Sequence, residues 1–599
     1  MLELTFSALV GRVLISCDAA HTRDLQILRG RYASGRSISN QTFDLELDDL
    51  LVNLRELAEW PPADQDFRWQ PELLRIAEGN AIDATVLENR LAGAGDLTAP
   101  SLVDLESSWM AGLTDFQQRD LSKLRELAHG ANFSVPGAGK TRVALAVFSA
   151  SRYARQVTRM LVVCPKAAFE SWYIEAGLCF APPLRIGIVD SATIPAADVI
   201  LINYERLPDA RSILAQWLRG QPTMLVLDEA HRMKLGPAGA WGRVCFALGH
   251  WAARRLILTG TPAPNGARDL ENLLSFVWPG QGRLAVSRAI QGNDLRTASS
   301  HLRPLFARTT KNELDLPPVD RFVRRLTLPP LHRELYDALL GQFSSSPRGG
   351  EREMEALGRV LLYLLMAATT PALLAIGASR HEPLPYRVPP LQVPGDSTLA
   401  RLMKDLPQYE LSPKYQEVLS IVAANAANGR KTLVWSTFVR NLKSLEHLLS
   451  GFRPAIVHGG TEDRAEQLAR FRGDPDCLVL LSNPATLGEG VSLHQVCHDA
   501  VYLDRDFAAG RFMQSLDRIH RLGLGKNEQT RITVLVAENT IDELVEDRLA
   551  AKLNFMGSIL DDPAVLELGD LAEEPSESVG MDMSDIRALL GYLNNHVTR

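Results

Sequence analysis

The sequence predicts an α/β protein with two parallel-sheet lobes, a helical insertion between them and a small α+β domain at the N-terminus. Residues 106–280 and 412–560 carry this prediction, because short apolar runs alternate there with helical patterns. Nearly continuous apolar runs are typical of parallel strands buried on both faces. The runs are MLVVC, DVILIN, TMLVLD and RLILTG in the first stretch, and TLVWS, PAIVHG, CLVLLS, AVYLD and ITVLV in the second.

Three further segments complete the predicted organisation. Residues 1–105 combine short strand patterns with two helical patterns, contain no chemical motif and are predicted to form an accessory domain. Residues 281–411 are mainly helical in pattern and are predicted to form the insertion. Residues 561–599 are predicted to be a tail, with nine acidic residues before Arg587. Such a tail is either a solvated extension or a competitor of nucleic acid for a basic groove.

Composition narrows the class of protein. The 599 residues carry a formal net charge of −7, which excludes a wholly basic surface but leaves room for a local basic groove. The six cysteines are widely spaced without a C-x-x-C pair, which argues against a zinc site and a disulfide framework. The most apolar stretch, residues 360–378, is interrupted by polar residues and proline, so a buried helix pair is expected there. We therefore expect a cytoplasmic protein without a membrane partner.

The stretch NFSVPGAGKT, residues 132–141, has the ending of a phosphate-binding loop. Such a loop offers backbone N–H groups and a helix N-terminus to phosphates, with a lysine to neutralise them and a hydroxyl to bind Mg²⁺. Ser134 stands where the usual G-x-x-x-x-G-K-[ST] pattern has its first glycine, yet the donors from Gly137 onward remain. The alternative is a chance glycine-rich turn. The candidate nucleotide-binding residues are Pro136, Gly137, Ala138, Gly139, Lys140, Thr141 and Arg142.

Two acidic residues follow the predicted strand TMLVL, 88 positions or more after Lys140. Asp228 at the strand end is suited to hold Mg²⁺, and Glu229 to orient and deprotonate an attacking water. In the same lobe, Thr259 and Thr261 of the TGTP stretch also follow a strand, although such a stretch is often a simple turn. The spacing predicts that these groups serve one phosphate site.

The second lobe contributes Gln514, Arg518 and Arg521, which share one face if they lie on a helix. Two guanidiniums carried by a separate lobe are suited to stabilise charge on a phosphoryl group held by the first lobe. The alternative is a solvated basic face or a set of surface ion pairs.

Taken together and in this order, the motifs resemble those of superfamily-two helicase-like ATPases, and within them the Swi/Snf-type (Snf-family) DNA translocases. The resemblance covers about residues 108–557. The matching segments are Leu113–Gln117 (Q-motif), Val163–Lys166 with Trp172 (motif Ia), Ile202–Glu205, Phe306–Lys311 with Leu316–Pro318, Ser412–Lys414, Val434–Phe438 (motif IV), His458–Phe471, Leu487–Leu493 (motif V) and Asp517–Gly523 (motif VI). Three features depart from the pattern: Ser134-Val135-Pro136 replaces an acidic run, Ser492 replaces Asn, and Leu524 replaces Gln.

The resemblance implies two RecA-like lobes that bind ATP and Mg²⁺ and act on double-stranded DNA. The implied catalytic residues are Lys140, Asp228, Glu229, Arg518 and Arg521, with Thr141 and Asp228 on the metal and Gln117 and Gln514 added to the nucleotide-binding set. The implied contacts to nucleic-acid phosphates are Lys166, Thr261, Ser436, Thr437 and Arg440. Trp435 is either a base-stacking residue or, as we favour, a core aromatic. The loop form itself resembles loops of prokaryotic Snf-type proteins, including those of Zorya-like antiphage systems.

Two other functions remain open from the sequence. One is a helicase on RNA or single strands, which shares the ATPase motifs but not the Snf-like element around Arg308. The other is an ATP-controlled switch that recruits protein partners through the N-terminal domain. The protein is expected to work as a monomeric motor or as one part of a multi-protein system.

Overall fold

The chain folds into two compact units: the first comprises the described residues of 1–313 together with 558–560, and the second comprises those of 314–557 together with 588–589 and 592–593. The computed structural model describes residues 1–7, 11–61, 66–92, 103–190, 193–262, 267–291, 295–317, 319–344, 352–375, 377, 381–382, 386–395, 397–404, 411–487, 491, 493–507, 509–521, 524–525, 528–560, 588–589 and 592–593.

A five-stranded mixed sheet with three helices begins the first unit. Its strands are β1 (Leu2–Phe6), β2 (Arg12–Cys17), β3 (Arg36–Ser39), β4 (Thr42–Glu46) and β5 (Phe67–Trp69), and its helices are α1 (Thr22–Arg29), α2 (Leu47–Val52) and α3 (Pro71–Ala92). The strand order is β3-β4-β2-β1-β5, with only the β1–β5 pair parallel. Leu2, Leu4, Val13 and Ile15 are fully buried, so the alternating apolar residues of β1 and β2 form one core face.

The rest of the first unit is built on a seven-stranded, wholly parallel sheet. The strands are β6 (Gly130–Asn132), β7 (Arg159–Val163), β8 (Ile186–Ile188), β9 (Val199–Ile202), β10 (Thr223–Asp228), β11 (Arg254–Leu258) and β12 (Phe306–Ala307). They lie in the order β12-β6-β11-β10-β7-β9-β8. The helices are α4 (Asp115–Glu126), α5 (Lys140–Tyr153), α6 (Phe169–Cys179), α7 (Leu207–Gly220), α8 (Ala240–Gly249), α9 (Ala267–Val277), α10 (Gln281–Ile290) and α11 (Leu295–Leu302). All six residues of β10 are buried, as expected for a central parallel strand.

Charged side chains join the N-terminal sheet domain to the parallel sheet. Asp83 of α3 accepts hydrogen bonds from Arg255 of β11, at 3.0 Å, and lies 2.7 Å from Nε2 of His129, just before β6. Asp48 of α2 pairs with His250 at 3.3 Å. His129 and Arg255 lie at the N-terminal ends of their strands, whereas the NFSVPGAGKT loop follows the C-terminal end of β6. The N-terminal domain therefore docks at the sheet edge opposite the loop.

The second unit contains a six-stranded parallel sheet. Its strands are β13 (Val319–Leu326), β14 (Thr432–Trp435), β15 (Ala455–Val457), β16 (Val479–Ser482), β17 (Asp499–Tyr502) and β18 (Thr530–Ala537). They lie in the order β13-β18-β17-β14-β16-β15, and every pair is parallel. The helices are α12 (Pro330–Ser344), α13 (Arg352–Thr369), α14 (Ala372–Ala375), α15 (Thr398–Lys404), α16 (Pro413–Ala427), α17 (Val439–Leu448), α18 (Arg464–Gly473), α19 (Pro484–Leu487), α20 (Ala509–Leu516) and α21 (Ile541–Leu560).

These elements confirm the predicted α/β fold with two parallel-sheet lobes. Two strands within residues 281–411, a range with a mainly helical pattern, were not anticipated: β12 joins the first parallel sheet and β13 the second. The boundaries proposed at residues 105, 280, 411 and 560 stay predictions. Across the described part of the chain, no helix has the length and apolarity needed to cross a membrane. The acidic stretch 561–587 and the motif V residues 488–490 and 492 lie outside the described residues.

Candidate active site

The predicted phosphate loop connects β6 to α5 through two glycines in left-handed conformation. Gly137 has φ 88°, and Gly139, the residue that caps the N-terminus of α5, has φ 77°. The positive φ favours glycine at position 139, and a Cβ there would also lie 2.4 Å from Nε2 of Gln117, so a larger residue would displace that side chain. The first-turn N–H groups of α5 have no intrahelical acceptors, and the helix dipole favours an anion at this end. The loop therefore provides what a phosphate group needs.

Lys140 and Gln117 are both hydrogen-bonded to the backbone of this loop. Lys140 Nζ donates to the carbonyl of Ser134 at 3.0 Å. Gln117 is buried; its Nε2 donates to the carbonyl of Ala138 at 3.2 Å, and its Oε1 accepts from the N–H of Thr114 at 3.1 Å. The Q-motif glutamine thus braces the loop from the start of α4. Its place in the nucleotide-binding set stays a prediction.

The two acidic residues lie at and just beyond the end of β10. Asp228 is buried; its Oδ2 accepts from Trp172 Nε1 at 2.9 Å, and its Oδ1 accepts from the N–H of Glu229 at 3.0 Å. Burial and the neighbouring charge of Glu229 raise the pKa of Asp228. Burial acts to raise the pKa of Glu229 as well, but His231 and then Lys140 outweigh it and lower that pKa. Lys140 lowers the pKa of both carboxyls, which places its charge within electrostatic reach of the pair.

Glu229 has a strained backbone. Its φ of 50° and ψ of 50° lie in the left-handed region, which costs a residue with a side chain about 1–3 kcal/mol. Strain of this kind persists only where the surroundings fix it, and it is concentrated at functional sites. Glu229 Oε2 lies 3.3 Å from Nδ1 of His231. The backbone at the end of β10 is thus held in a conformation that the sequence alone would not favour.

His231 links the acidic pair to the TGTP stretch. Its Nδ1 lies 3.2 Å from the hydroxyls of both Thr259 and Thr261, and these two hydroxyls are 3.1 Å apart. A Cβ on Gly260 would lie 2.8 Å from Cδ of Pro136, so the TGTP stretch also packs against the phosphate loop. The structure thus brings the loop, the acids and the threonines together, and their service to one phosphate site stays a prediction. Thr261 is buried, although it was predicted to contact nucleic acid.

Three other predicted residues of the first unit have distinct environments. Thr141 is half-buried in the first turn of α5. Arg142, in the same turn, forms an ion pair with Glu175 of α6. Lys166 is exposed in a single 3₁₀ turn that follows β7. Of the nucleic-acid candidates in this unit, Lys166 has its charged side chain in solvent.

The helical placement of the second-lobe arginines is wrong, because α20 ends at Leu516. Beyond it, the N–H groups of Arg518 and Ile519 donate three residues back, to the carbonyls of Ser515 and Leu516, whereas His520 N–H donates four residues back to Leu516, so irregular turns follow the helix. Arg518 Nε also donates to the carbonyl of Gln514 at 2.8 Å, and its Nη1 to that of Val491 at 3.0 Å. The Arg518 guanidinium is therefore buried against backbone carbonyls.

The other two motif VI candidates lie on either side of Arg518. Gln514 is in the last turn of α20 and is largely buried, and Arg521 is half-buried after the turns. Arg521 lowers the pKa of His494, after the larger effect of burial. His520, between the two arginines, lies 2.7 Å from the carbonyl of Pro317, so motif VI contacts the Leu316–Pro317 segment. The predicted roles of Gln514, Arg518 and Arg521 stay predictions.

The second-lobe residues predicted to contact nucleic acid are buried, and their hydrogen-bond partners described here belong to the second unit. Ser436 Oγ donates to Asp504 at 2.5 Å, and the N–H of Thr437 donates to the same carboxylate at 2.7 Å. Arg440 Nε donates to Glu382 at 3.2 Å, and the first N–H groups of α17 also donate to Glu382. Trp435 is fully buried and stacks on Tyr502, as the core interpretation requires.

Sequence reasoning missed three carboxylates that accept hydrogen bonds at or near the motifs. They are Asp120, which accepts from Ser134 Oγ at 2.8 Å, Glu382 and Asp504. Each is a buried carboxylate that accepts hydrogen bonds from predicted motif residues or their neighbours. Glu382 lies far from motif IV in the sequence, and nothing in HEPLPY indicates its partner. Asp504 directly follows the strand-like run AVYL, the same strand-end position that identified Asp228, and that signal could have found it.

Known proteins match over both units. The family model of the SNF2-related domain matches residues 133–367, and that of the helicase conserved C-terminal domain matches residues 413–523. Two regions of the chain are thus similar to an SNF2-related domain and to a helicase C-terminal domain, and these matches support an ATP-hydrolysing enzyme.

Similar curated proteins include nuclear protein STH1/NPS1 of Saccharomyces cerevisiae, which is 23% identical over 516 residues, covering 76% of this chain and 36% of the relative. Another is the SWI/SNF-related matrix-associated actin-dependent regulator of chromatin subfamily A member 1 of Mus musculus, 24% identical over 515 residues, covering 80% of this chain and 46% of the relative. The chain therefore spans less than half the length of these two relatives. Among solved structures, the Sulfolobus solfataricus SWI2/SNF2 ATPase core in complex with dsDNA matches with a TM-score of 0.34 and 20% identity, covering 79% of this chain and 100% of that one.

Proposed function

We propose that this chain is an ATP-driven double-stranded DNA translocase of the Snf type. The observation that carries the proposal is the assembly in the first unit, where the phosphate loop, the acids after β10 and the TGTP threonines contact one another or share His231. This is the arrangement expected of a site that binds a nucleoside triphosphate and reports its state to nearby loops. The SNF2-related and helicase C-terminal matches support the same conclusion.

The residues of the first unit fit ATP with Mg²⁺. Lys140 would exchange the carbonyl of Ser134 for the β- and γ-phosphates, while the α5 N-terminus and the left-handed glycines would receive the phosphate oxygens. Thr141 and Asp228 would hold Mg²⁺, which neutralises phosphate charge when bound. Glu229, whose pKa is lowered, is ionised at neutral pH and can orient and deprotonate the attacking water.

Arg518 and Arg521 are proposed to supply positive charge to the phosphoryl group from the second lobe. Arg518 already has two carbonyl acceptors, so delivering its charge requires exchanging at least one of them for a phosphate oxygen. Such an exchange would couple hydrolysis to a rearrangement of the turns after α20. A coupling of this kind is what a translocating motor requires of its second lobe.

The direct test is the ATPase rate of the purified chain with duplex DNA, single-stranded DNA or RNA. We expect duplex DNA to raise the rate most, with a steep dependence on salt because phosphate contacts dominate affinity. Stimulation by RNA or single strands without an effect of duplex DNA would establish the helicase alternative instead.

One observation favours a second candidate function, the recruitment switch. The N-terminal domain is joined to the nucleotide-binding sheet through Asp83, His129 and Arg255, so it can follow changes in that sheet. A switch needs ATP binding but not turnover. Retained biological activity in Glu229→Gln together with its loss in Lys140→Ala would favour the switch over the translocase.

We further propose a cytoplasmic role in prokaryotic antiphage defence, supported by the loop form NFSVPGAGKT. The test is the plating efficiency of phages on cells that carry the gene with its neighbours. Protection that Lys140→Ala abolishes would support this role, and equal plating with and without the wild-type gene would contradict it.

A further inference from the structure

Ser134, the residue in place of the first loop glycine, belongs to a buried hydrogen-bonded cluster. Its Oγ donates to Asp120 Oδ2 of α4 at 2.8 Å, and Thr309 Oγ1 donates to the same oxygen at 2.9 Å. Ser134 Oγ also accepts from the N–H of Thr309 at 2.8 Å. All three residues are at most 3% exposed. We call Ser134, Asp120 and Thr309 the Asp120 cluster.

The backbone around Ser134 is extended alongside the segment that follows β12. Phe133 N–H donates to the carbonyl of Ala307 at 2.8 Å, and Val135 N–H donates to that of Thr309 at 3.0 Å. These bonds prolong the parallel pairing of β6 with β12 into the phosphate loop. The lead-in of the loop is thus an extension of the sheet, fixed at its midpoint by Asp120. The Ser134 carbonyl in this extension is the acceptor of Lys140 Nζ.

Arg119 connects the cluster to Glu313, after which the chain first passes into the second unit. It donates to the carbonyl of Arg308 at 3.0 Å and to Thr309 Oγ1 at 3.1 Å, and it forms an ion pair with Glu313. Glu313 in turn accepts from the N–H of Thr310 at 2.6 Å. Glu313 is the residue at which the chain leaves the first unit. Hydrogen bonds therefore run without interruption from the phosphate loop to this exit.

A buried carboxylate is costly unless its oxygens accept hydrogen bonds, so Asp120 holds its donors in place. Losing the hydroxyl of Ser134 or Thr309 would leave the buried Asp120 carboxylate with one hydrogen bond fewer. A glycine at position 134 has no hydroxyl and could not make this bond. Ser134 therefore lacks the backbone freedom of a glycine but is hydrogen-bonded to Asp120 and Thr309. This attachment fixes the part of the loop that accepts a hydrogen bond from the Lys140 ammonium.

We propose that Ser134 and Asp120 are positioning residues that fix the phosphate loop and link it to the exit segment at Thr309–Glu313. The inference rests on the proposed binding of ATP at this loop. With the cluster intact, Lys140 and the loop amides are held ready for phosphates, and a shift of the loop on binding reaches the exit segment through Thr309 and Arg119. Without it, the loop must be ordered by the nucleotide itself, which weakens binding.

The test compares Ser134→Ala, Asp120→Asn and Thr309→Val in the full-length chain. Each removes one member of the cluster and leaves Lys140, Asp228 and Glu229 unchanged. We expect the KM for ATP to rise about five- to ten-fold, with kcat at saturating ATP within about two-fold of wild type, because ground-state ordering is what is lost. Ser134→Thr keeps the hydroxyl and is expected to stay near the wild-type KM.

Ser151→Ala is the matched control. Ser151 is a fully buried serine of α5 outside the cluster, and its hydroxyl has no hydrogen-bond partner among the residues that the structure describes. A merely structural role for the cluster would lower the thermal midpoint and leave KM at the value of this control. The double variant Ser134→Ala/Asp120→Asn is expected to be no worse than the poorer single variant, since both act through one cluster.

Affinity for a non-hydrolysable ATP analogue, measured by fluorescence without DNA, gives the same comparison independently of turnover. An absence of stimulation by duplex DNA would contradict the translocase but would leave this comparison intact. A KM and an analogue affinity equal to those of Ser151→Ala would overturn the positioning role. The positioning role would also be overturned if the KM increases of Ser134→Ala and Asp120→Asn multiplied in the double variant, because independent effects exclude a shared cluster.

Discussion

The residues predicted to hold nucleotide and those predicted to hold nucleic acid in the second unit have opposite environments. The phosphate loop has half-buried glycines and a half-buried lysine whose ammonium donates to the backbone carbonyl of Ser134. Ser436, Thr437 and Arg440 are buried, and two carboxylates, Asp504 and Glu382, already accept their hydrogen bonds.

This difference shows what a motif establishes and what it leaves open. A phosphate loop is recognisable because its backbone conformation depends on glycines at fixed spacing, and the structure has Gly137 and Gly139 in the left-handed conformation. A hydroxyl or guanidinium in a motif can instead form hydrogen bonds inside the protein that stabilise the fold. In this chain, side chains of motif IV and of α17 form a buried polar network around Asp504. For motif IV to contact nucleic acid, either its backbone groups must make the contact or its side chains must first rearrange.

The largest effect on the ATPase reaction is expected at Glu229, the residue predicted to activate the attacking water. Glu229→Gln should lower kcat about 10³-fold while ATP still binds, because the base is lost but the phosphate cradle remains. Lys140→Ala should lose ATP affinity instead. The measurements are ATPase rate and binding of labelled ATP, with the exposed Glu170→Gln as control. A Glu229→Gln variant with near-normal kcat would remove Glu229 from the reaction.

The next effect tests whether Glu382 is structural. Glu382→Ala removes the carboxylate partner of the buried Arg440 guanidinium and the side-chain acceptor of two α17 N–H groups, which should cost about 3–5 kcal/mol. We expect the α17 amides to lose hydrogen-exchange protection, as followed by mass spectrometry. The exposed Glu462→Ala is the control. Unchanged protection together with tighter DNA binding would show instead that Glu382 occupies a site meant for phosphate.

A smaller effect is expected from buried charge in the first unit, at the sheet edge opposite the loop. Burial, followed by the charge of Arg255, lowers the pKa of His129 to about 4, against the hydrogen bond and charge of Asp83 and with a further contribution from Arg254. The unfolded chain binds the proton below pH ~6.5, so unfolding becomes easier as the pH falls from about 6.5 to 4. The loss is at most roughly 3 kcal/mol over that window.

The measurement is the thermal midpoint of the first unit across this pH range. His129→Asn should flatten the pH dependence, since asparagine does not titrate. ATP affinity at neutral pH should be unchanged, because His129 lies at the far edge of the sheet from the loop. An equally steep curve in the variant would assign the pH dependence to other groups.

The smallest effect concerns Lys166, whose exposed side chain contrasts with the buried Arg440. Lys166→Ala should weaken duplex binding a few-fold and reduce the slope of log K against log salt by about 0.9, the loss of one phosphate contact. Stability should change by less than about 0.5 kcal/mol. The exposed Arg55→Ala is the control, and an unchanged salt slope would exclude a phosphate contact at Lys166.

The two lobes and the nucleotide loop could be predicted because their signals are local. The run TMLVLD contains both the buried strand and the acid at its end, and GAGKT contains both the turn and the helix start. The end of α20 could not be predicted in this way. There, Arg518 hydrogen-bonds to the Gln514 and Val491 carbonyls, and a contact with residue 491 is invisible to helical periodicity.

The Asp120 cluster shows the same limit at the nucleotide loop. Ser134, Asp120 and Thr309 are separated by 14 to 189 positions, and no periodicity relates them. Their contacts arise only when β12 pairs with β6 and carries residues 307–309 alongside the loop. The role of Ser134 in place of the first loop glycine therefore depends on contacts with Asp120 and Thr309 that only the three-dimensional structure shows.

Third-strand displacement from duplex DNA tests the central claim most directly. A translocase moving on the duplex should remove a triplex-forming strand in the presence of ATP and leave the duplex paired. We predict displacement by the wild-type chain, and none with a non-hydrolysable analogue or with Glu229→Gln. ATP hydrolysis without displacement, or separation of the duplex strands themselves, would contradict the account.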